Sequence, residues 1–133
     1  MMEGKIAYNI VMFSSSIVGK IKEGLAHANI LASIIFAGIS GSSAADTAAI
    51  GGTLIPMMIE QGYSREFSVA VTVASSCIGP IIPPSIIMVI YSFFTGISIG
   101  ALFLAGILPG LFMGILMMIL CRLMALRGYF NNV

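Results

Sequence analysis

The amino-acid sequence predicts an all-α membrane protein. Of its 133 residues, 59% are hydrophobic and 8% are charged, and the mean hydropathy is +1.09, which excludes a soluble globular domain and a disordered chain. Residues 67–121 contain no Asp, Glu, Lys, Arg or His, and a run of this length allows two helical crossings of about 20 residues each. Three prolines within residues 79–84 interrupt the run, so one crossing is predicted to be a discontinuous helix.

Residues 1–23 are predicted to form an amphipathic arm helix. When residues 5–23 are plotted at about 100° per residue, polar and apolar side chains separate onto opposite sides. The polar side carries Lys5, Asn9, Ser16, Lys20 and Glu23, and the apolar side carries Ile6, Ile10, Phe13, Ile17 and Ile21. This pattern is typical of a helix that lies along a membrane interface or bridges two bodies. A truncated membrane span is the alternative.

Residues 24–62 are predicted to form a re-entrant helical hairpin. The flexible sequence Gly38 to Ser43 divides the segment into two arms, each about 24–26 Å long as a helix and shorter than the ~30 Å hydrocarbon core. The tip, Ser40 to Asp46, brings hydroxyl groups and one carboxyl group to membrane depth, where an ionisable group suggests a functional site. The alternative is that Asp46 only stabilises the start of the second arm.

A discontinuous helix over residues 66–94 and a transmembrane helix over residues 99–121 complete the predicted fold. Basic residues lie in three loops, namely Lys20 and Lys22 before the hairpin, Arg65 after it, and Arg122 and Arg127 after the last apolar run. The positive-inside rule assigns these loops to the cytoplasm. Two full crossings in place of the hairpin would give the same sidedness, so only arm length and tip chemistry favour re-entry.

The proline-rich interruption predicts a cation site beside an anion site. Each proline removes a hydrogen bond to the carbonyl four residues earlier, which frees the carbonyls of Ser76, Gly79 and Pro80. These oxygens are ligands that suit sodium, together with the nearby hydroxyl groups of Thr72, Ser75, Ser76 and Ser85. The second half-helix begins near Pro84 and Ser85, where unpaired N–H groups favour a carboxylate. The alternative is a proline kink whose free groups are satisfied by water and neighbouring helices.

Other classes of function have less support from the residues. The net charge of +1 and the lack of a large basic patch argue against a nucleic-acid partner. Cys77 and Cys121 have no metal-ligand spacing and are predicted to be buried apolar residues. Gly38 to Gly41 match the GxSG pattern of intramembrane serine proteases, which makes Ser40 a candidate nucleophile. That pattern requires a histidine on a later span, whereas His27 lies upstream on the same arm.

Several stretches of the chain resemble the large membrane subunit of TRAP transporters, the DctM-like permeases. They are residues 24–33 and 36–42, Ala45 with Asp46, residues 54–56, Gly62 with Tyr63, residues 78–85, 96–100 and 102–106, and Pro109 with Gly110. The resemblance implies a first-repeat fragment of a sodium-coupled, elevator-type secondary transporter for organic acids such as C4-dicarboxylates. Family members have two inverted repeats, and this chain contains one.

The resemblance also implies partners, a location and a domain division. The expected partners are a small membrane permease subunit, a periplasmic substrate-binding protein, the remaining half of the large permease and the lipid bilayer of the cell inner membrane. No cofactor is expected, and sodium serves as the coupling ion. Residues 1–23 correspond to the arm helix, and residues 24–133 correspond to a portion of the transport domain.

In the family, the hairpin tip and the following break hold sodium and border the substrate. The predicted sodium site carried over to this sequence consists of Ser40, Gly41, Asp46, Ser76, Gly79 and Pro80. The predicted substrate-binding residues are Ser42, Ser43, Pro84 and Ser85. A serine hydrolase built on Ser40 and a truncated permease fragment without function are the alternative hypotheses.

Overall fold

A computed structural model describes residues 2–18 and 24–128. Their regular structure consists of six helices, which confirms the all-α prediction: α1 (Met2–Val18), α2 (Gly24–Ser40), α3 (Ser43–Glu60), α4 (Arg65–Ser76), α5 (Ile86–Thr95) and α6 (Ile99–Leu126). Lys20, Lys22 and Glu23, which were assigned to the amphipathic segment and its loop, lie outside the described residues.

Helix α1 packs against α2 and α3 through its small side chains. Ala7, Val11 and Ser14 are buried, and their spacing of four and three residues puts them on one face of the helix. The larger apolar side chains of Ile6, Phe13 and Ile17 are 46–59% exposed. These three side chains of the predicted apolar face are therefore available to a membrane surface or to a second body, whereas Ile10 of the same face packs against the core.

Helices α2 and α3 are joined by two residues, Gly41 and Ser42. They contain 17 and 18 residues, which correspond to about 26 and 27 Å and are shorter than the ~30 Å hydrocarbon core. Helix α2 packs against α1, α3, α4 and α6, and most of its residues are buried. The re-entrant path of these two helices through a membrane stays a prediction.

Residues 77–85 separate α4 from α5 without forming a helix. Ser64 and Ser85 cap the two helices, because their hydroxyl oxygens accept hydrogen bonds from the backbone N–H groups of Phe67 and Met88 at 3.2 and 3.3 Å. Such caps satisfy N–H groups that have no partner within the helix. At the end of α4 the Cys77 backbone N–H bonds to the carbonyls of Ala74 and Ser75. Hydrogen bonds of Cys77 and Ser85 thus mark the two ends of the proline-rich interruption.

Helix α6 is the one helix among the described residues that is long and apolar enough to cross a membrane. Its 28 residues correspond to about 42 Å. The helix continues to Leu126, five residues past the predicted end at Cys121. The prediction ended the segment at the first charged residue, Arg122, but a charge ends an apolar run without ending a helix.

Glycines on one face of α6 lie against the interruption and against α2. Gly106, Gly110 and Gly114 are buried, and their four-residue spacing lets neighbouring segments approach closely. A Cβ atom at Gly110 would lie 2.5 Å from the Ile82 side chain, and one at Gly114 would lie 2.6 Å from the Ile34 side chain. This face of α6 therefore packs against both the interruption and the first arm of the hairpin.

The two cysteines occupy different environments. Cys121 is buried, whereas Cys77 is exposed, and both are free thiols. The prediction that both are buried is therefore wrong for Cys77, because it lies in the turn that follows α4 and its side chain points away from the packed helices.

Candidate functional site

The hairpin tip and the interruption between α4 and α5 are in direct backbone contact. Gly41 has a φ of +59°, and a Cβ atom there would lie 2.5 Å from the carbonyl oxygen of Pro84 and 3.1 Å from the Cα of Ser85. A Cβ atom at Gly79 would lie 3.4 Å from backbone atoms of Ser42 and of Ser43. The structure therefore brings together six of the predicted site residues, across two segments that are far apart in the sequence.

Four helix ends meet at this contact. Helices α2 and α4 end at Ser40 and Ser76, and helices α3 and α5 begin at Ser43 and Ile86. The carboxyl end of a helix carries a partial negative charge, and the amino end carries a partial positive charge. The contact therefore combines two ends that favour a cation with two ends that favour an anion.

The predicted substrate-binding serines include two helix caps. The hydroxyl oxygen of Ser42 accepts a hydrogen bond from the Ala45 backbone N–H at 3.5 Å, and Ser85, only 1% exposed, caps α5. Ser43 is half-buried and Pro84 is exposed. The first backbone N–H groups of α3 and α5 have no partner within their helices, and they are the groups that an anion at this position would contact.

The structure corrects one of the three predicted free carbonyls. The Ser76 carbonyl accepts a hydrogen bond from the Gly79 N–H at 3.0 Å, because the chain tightens into a turn after α4 and replaces the bond that Pro80 cannot make. No described backbone N–H donates to the carbonyl of Gly79 or Pro80. Among the three predicted carbonyls, those of Gly79 and Pro80 therefore remain without a described backbone N–H partner.

Ser76 also connects the hairpin to α4 through its side chain. Its hydroxyl is 2.7 Å from the hydroxyl of Thr47, which lies on the first turn of α3 next to Asp46. This hydrogen bond ties the end of α4 to the start of α3. Ser76 is 2% exposed, so it could contribute only to an ion site that is itself enclosed by the protein.

Asp46 is fully buried, at 0% exposure. Neither of its carboxylate oxygens makes a hydrogen bond of normal geometry with the described residues, and the Ser33 hydroxyl on α2 is the polar side chain that interacts with it. A buried carboxylate without hydrogen bonds is costly. A bound cation such as sodium is one physical reason for a carboxylate to persist in such a position.

The side chain of Ser40 interacts with the backbone of its own hairpin tip. Its hydroxyl lies 3.4–3.5 Å from the backbone of Ser42, and the residue lines a groove of about 580 Å³ between α1, α2 and α3. Within the described part of the chain, its side chain makes no hydrogen bond with the interruption. Its role in a sodium site stays a prediction.

The sequence alone did not reveal a buried hydrogen-bonded layer next to the site. The layer consists of Asn29 and Ser33 of α2 and Thr72 and Ser75 of α4, each at 0% exposure. Asn29 and Ser33 are four residues apart, a spacing that places both side chains on one face of a helix. That spacing is the signal that points to the α2 half of the layer, whereas the hydroxyls of Thr72 and Ser75 are among those predicted to lie near the cation site.

A helical membrane chain in which a hairpin tip meets a broken helix has the architecture of a secondary transporter. The family model of the tripartite ATP-independent periplasmic transporter, DctM component, matches residues 1–133. The chain therefore belongs to the DctM component family of these transporters.

Curated relatives agree with this assignment. The chain is 43% identical over 119 residues to the C4-dicarboxylate TRAP transporter large permease protein DctM of Vibrio cholerae, covering 90% of this chain and 26% of that protein. It is 43% identical over 125 residues to the sialic acid TRAP transporter large permease protein SiaM of the same organism, covering 93% and 29%. It is 41% identical over 129 residues to the ectoine TRAP transporter large permease protein TeaC of Halomonas elongata, covering 96% and 30%.

The chain spans between a quarter and a third of the length of these relatives. The class of these relatives also decides between the transporter hypothesis and the serine hydrolase hypothesis, because permeases of this family are not enzymes. The serine hydrolase hypothesis is therefore wrong. The geometry agrees, since Ser40 and His27 both lie on α2, and 13 residues of helix separate them by about 20 Å.

Proposed function

We propose that this chain is part of the transport domain of a sodium-coupled TRAP permease. Sodium would bind where the hairpin tip meets the interruption, and it would organise a neighbouring site for an organic carboxylate. The observation that carries the proposal is the backbone contact of Gly41 with Pro84 and Ser85, at which helix ends of both polarities converge. Such convergence allows one small region to bind a cation and an anion together.

The proposed sodium ligands differ in the support that the geometry gives them. Gly79 and Pro80 offer carbonyl oxygens that no described backbone N–H occupies, and Asp46 offers a buried carboxylate. Gly41 contributes its close backbone approach, and Ser76 contributes its hydroxyl contact with α3. Oxygen ligands of this kind suit a dehydrated alkali cation.

The proposed substrate site lies at the amino ends of α3 and α5. Ser42, Ser43, Pro84 and Ser85 surround these ends, where free N–H groups and the helix dipoles favour a carboxylate group. Sodium on the opposite side of the same contact would hold the tip and the interruption in one arrangement. Binding of the cation would thereby increase the affinity for the anion.

The transport cycle requires more than this chain. Because the chain covers 26–30% of these three relatives, we propose that it works with the rest of the large permease, a small permease subunit and a periplasmic binding protein in the cell inner membrane. It would cross that membrane more than once and move as part of an elevator-type domain. We expect no sodium-driven accumulation in liposomes that contain only this polypeptide.

Sodium dependence is the test of the proposed site. In the complete permease containing this sequence, thermal unfolding is measured over a range of sodium concentrations, with potassium keeping the ionic strength constant. A ligand that binds only the folded state at 100 times its Kd stabilises it by about 2.7 kcal/mol, so sodium should raise the unfolding temperature. Asp46→Asn should shift the half-saturating sodium concentration upward by at least about tenfold, which corresponds to the loss of ~1.4 kcal/mol.

Glu60→Gln is the matched control, because Glu60 is an exposed carboxylate at the other end of α3. It should leave the sodium dependence unchanged. Equal stabilisation by sodium and potassium in the unmodified permease would refute sodium binding. Wild-type sodium dependence in Asp46→Asn would refute the assignment of the site.

A further inference from the structure

A buried layer of hydrogen bonds connects the first arm of the hairpin to the half-helix α4. The amide nitrogen of Asn29 donates to the Thr72 hydroxyl at 2.7 Å, and the hydroxyls of Ser33 and Ser75 are 3.0 Å apart. The Ser75 hydroxyl also lies 3.5 Å from the amide oxygen of Asn29. These side chains therefore form one connected network between α2 and α4, with every member fully buried.

This layer adjoins the proposed sodium ligands at two points. Ser75 precedes Ser76 in the last turn of α4, and Ser33 is the polar side chain that interacts with the buried carboxylate of Asp46. A change in the separation of α2 and α4 would therefore move both groups together. Polar networks that are fully satisfied hold their elements in one arrangement more strictly than apolar contacts do.

We propose that Asn29, Ser33, Thr72 and Ser75 are positioning residues that hold the end of α4 and the carboxylate of Asp46 in the arrangement that binds sodium. These four residues contact neither sodium nor substrate. Their hydrogen bonds set the affinity of the sodium site by fixing the distance between the hairpin and α4. The inference rests on the proposed function, because it assumes sodium binding near Asp46.

Substitutions of Thr72 can separate the effect of its hydrogen bond with Asn29 from the effect of packing. Its hydroxyl accepts from Asn29, while its methyl group Cγ2 would be 3.1 Å from a Cβ atom at Gly51 of α3. Thr72→Val keeps the shape and removes the hydroxyl, whereas Thr72→Ser keeps the hydroxyl and removes the methyl group. The two variants therefore distinguish a layer that acts by hydrogen bonding from one that only fills space.

The test uses the complete permease and sodium-dependent thermal stabilisation. We expect Thr72→Val and Ser75→Ala to raise the half-saturating sodium concentration by roughly tenfold, since each leaves buried polar groups without a partner. Thr72→Ser should keep the half-saturating sodium concentration within about threefold of the wild-type value, because the serine hydroxyl can still accept the hydrogen bond from Asn29. Ser68→Ala is the control, because the equally buried Ser68 hydroxyl bonds within its own helix to the Ser64 carbonyl.

A purely structural role would lower the unfolding temperature equally in sodium and in potassium without changing the half-saturating sodium concentration. That result in both Thr72→Val and Ser75→Ala would overturn the inference. An equal shift of the half-saturating sodium concentration in Thr72→Val and Thr72→Ser would also overturn it. If Asp46→Asn shifts the sodium dependence while the Thr72 variants do not, only the positioning layer fails. If Asp46→Asn has no effect, the proposed site and the layer fail together.

Discussion

Replacing Gly41 by alanine should separate the hairpin tip from the interruption. The new Cβ atom would lie 2.5 Å from the Pro84 carbonyl oxygen and 3.0 Å from the Ile86 backbone nitrogen. Ordinary contacts of this kind are about 3.5 Å or longer, so the two segments must move apart by about 1 Å. All of the nearest atoms belong to the backbone, and no side-chain rotation can relieve the contact.

The backbone conformation at Gly41 adds a second cost. Its φ of +59° lies in the left-handed region, which costs a residue with a Cβ atom about 1–2 kcal/mol. The forced separation adds about 1–3 kcal/mol, as is typical of overpacking. Displacement of a binding group by about 1 Å can reduce function by as much as 100-fold. We therefore expect Gly41→Ala to raise the half-saturating sodium concentration by more than about tenfold.

The assay is sodium-dependent thermal unfolding of the complete permease, followed by sodium-driven uptake in proteoliposomes that also contain its partner subunits. Gly38→Ala is the matched control on the same arm, because its Cβ atom would lie 4.0 Å from the Pro83 carbonyl oxygen, an ordinary contact. Wild-type sodium affinity and uptake in Gly41→Ala would show that the tip and the interruption are not in the contact described above, and would refute the reasoning.

Two further changes test the surroundings of the site. Gly106→Ala should lower the unfolding temperature of the permease more than Gly110→Ala does. The new Cβ atom at Gly106 meets the Ile81 backbone carbonyl, whereas the one at Gly110 meets side-chain atoms of Ile82 and Ile81, which can move. Equal effects would contradict this account of α6. Ser64→Ala should cost about 1 kcal/mol of stability by removing the α4 cap, measured as a lower unfolding temperature, and Ser64→Asp should restore it. A wild-type unfolding temperature in Ser64→Ala would argue against the cap.

Local sequence predicted the elements and the places where they are interrupted. Prolines at 80, 83 and 84 prevent a continuous helix for a local reason, namely the missing N–H group and the ring clash. The structure accordingly has no helix over residues 77–85. The helix ends were less accurate, as at Arg122, because an apolar run and a helix end for different physical reasons.

Turn geometry and long-range packing together decided the details of the site. The Ser76 carbonyl was predicted to be free, but the turn after α4 supplies it with the Gly79 N–H at 3.0 Å. The exposure of Cys77 and that of Phe13 on α1 depend on which neighbours cover each side chain. The partner of Asn29 is Thr72, 43 residues away, and helical spacing does not identify such a partner.

The sequence by itself determined that this protein is helical, apolar enough for a membrane and interrupted twice, because each of these properties depends on composition or on residues adjacent in the chain. Its residues also sufficed for the resemblance to the DctM family. Only the tertiary structure decided that Gly41 meets Pro84, that Asp46 is buried beside Ser33, and that a hydrogen-bonded layer joins α2 to α4. These contacts join residues distant in sequence, and their geometry depends on how whole helices pack together.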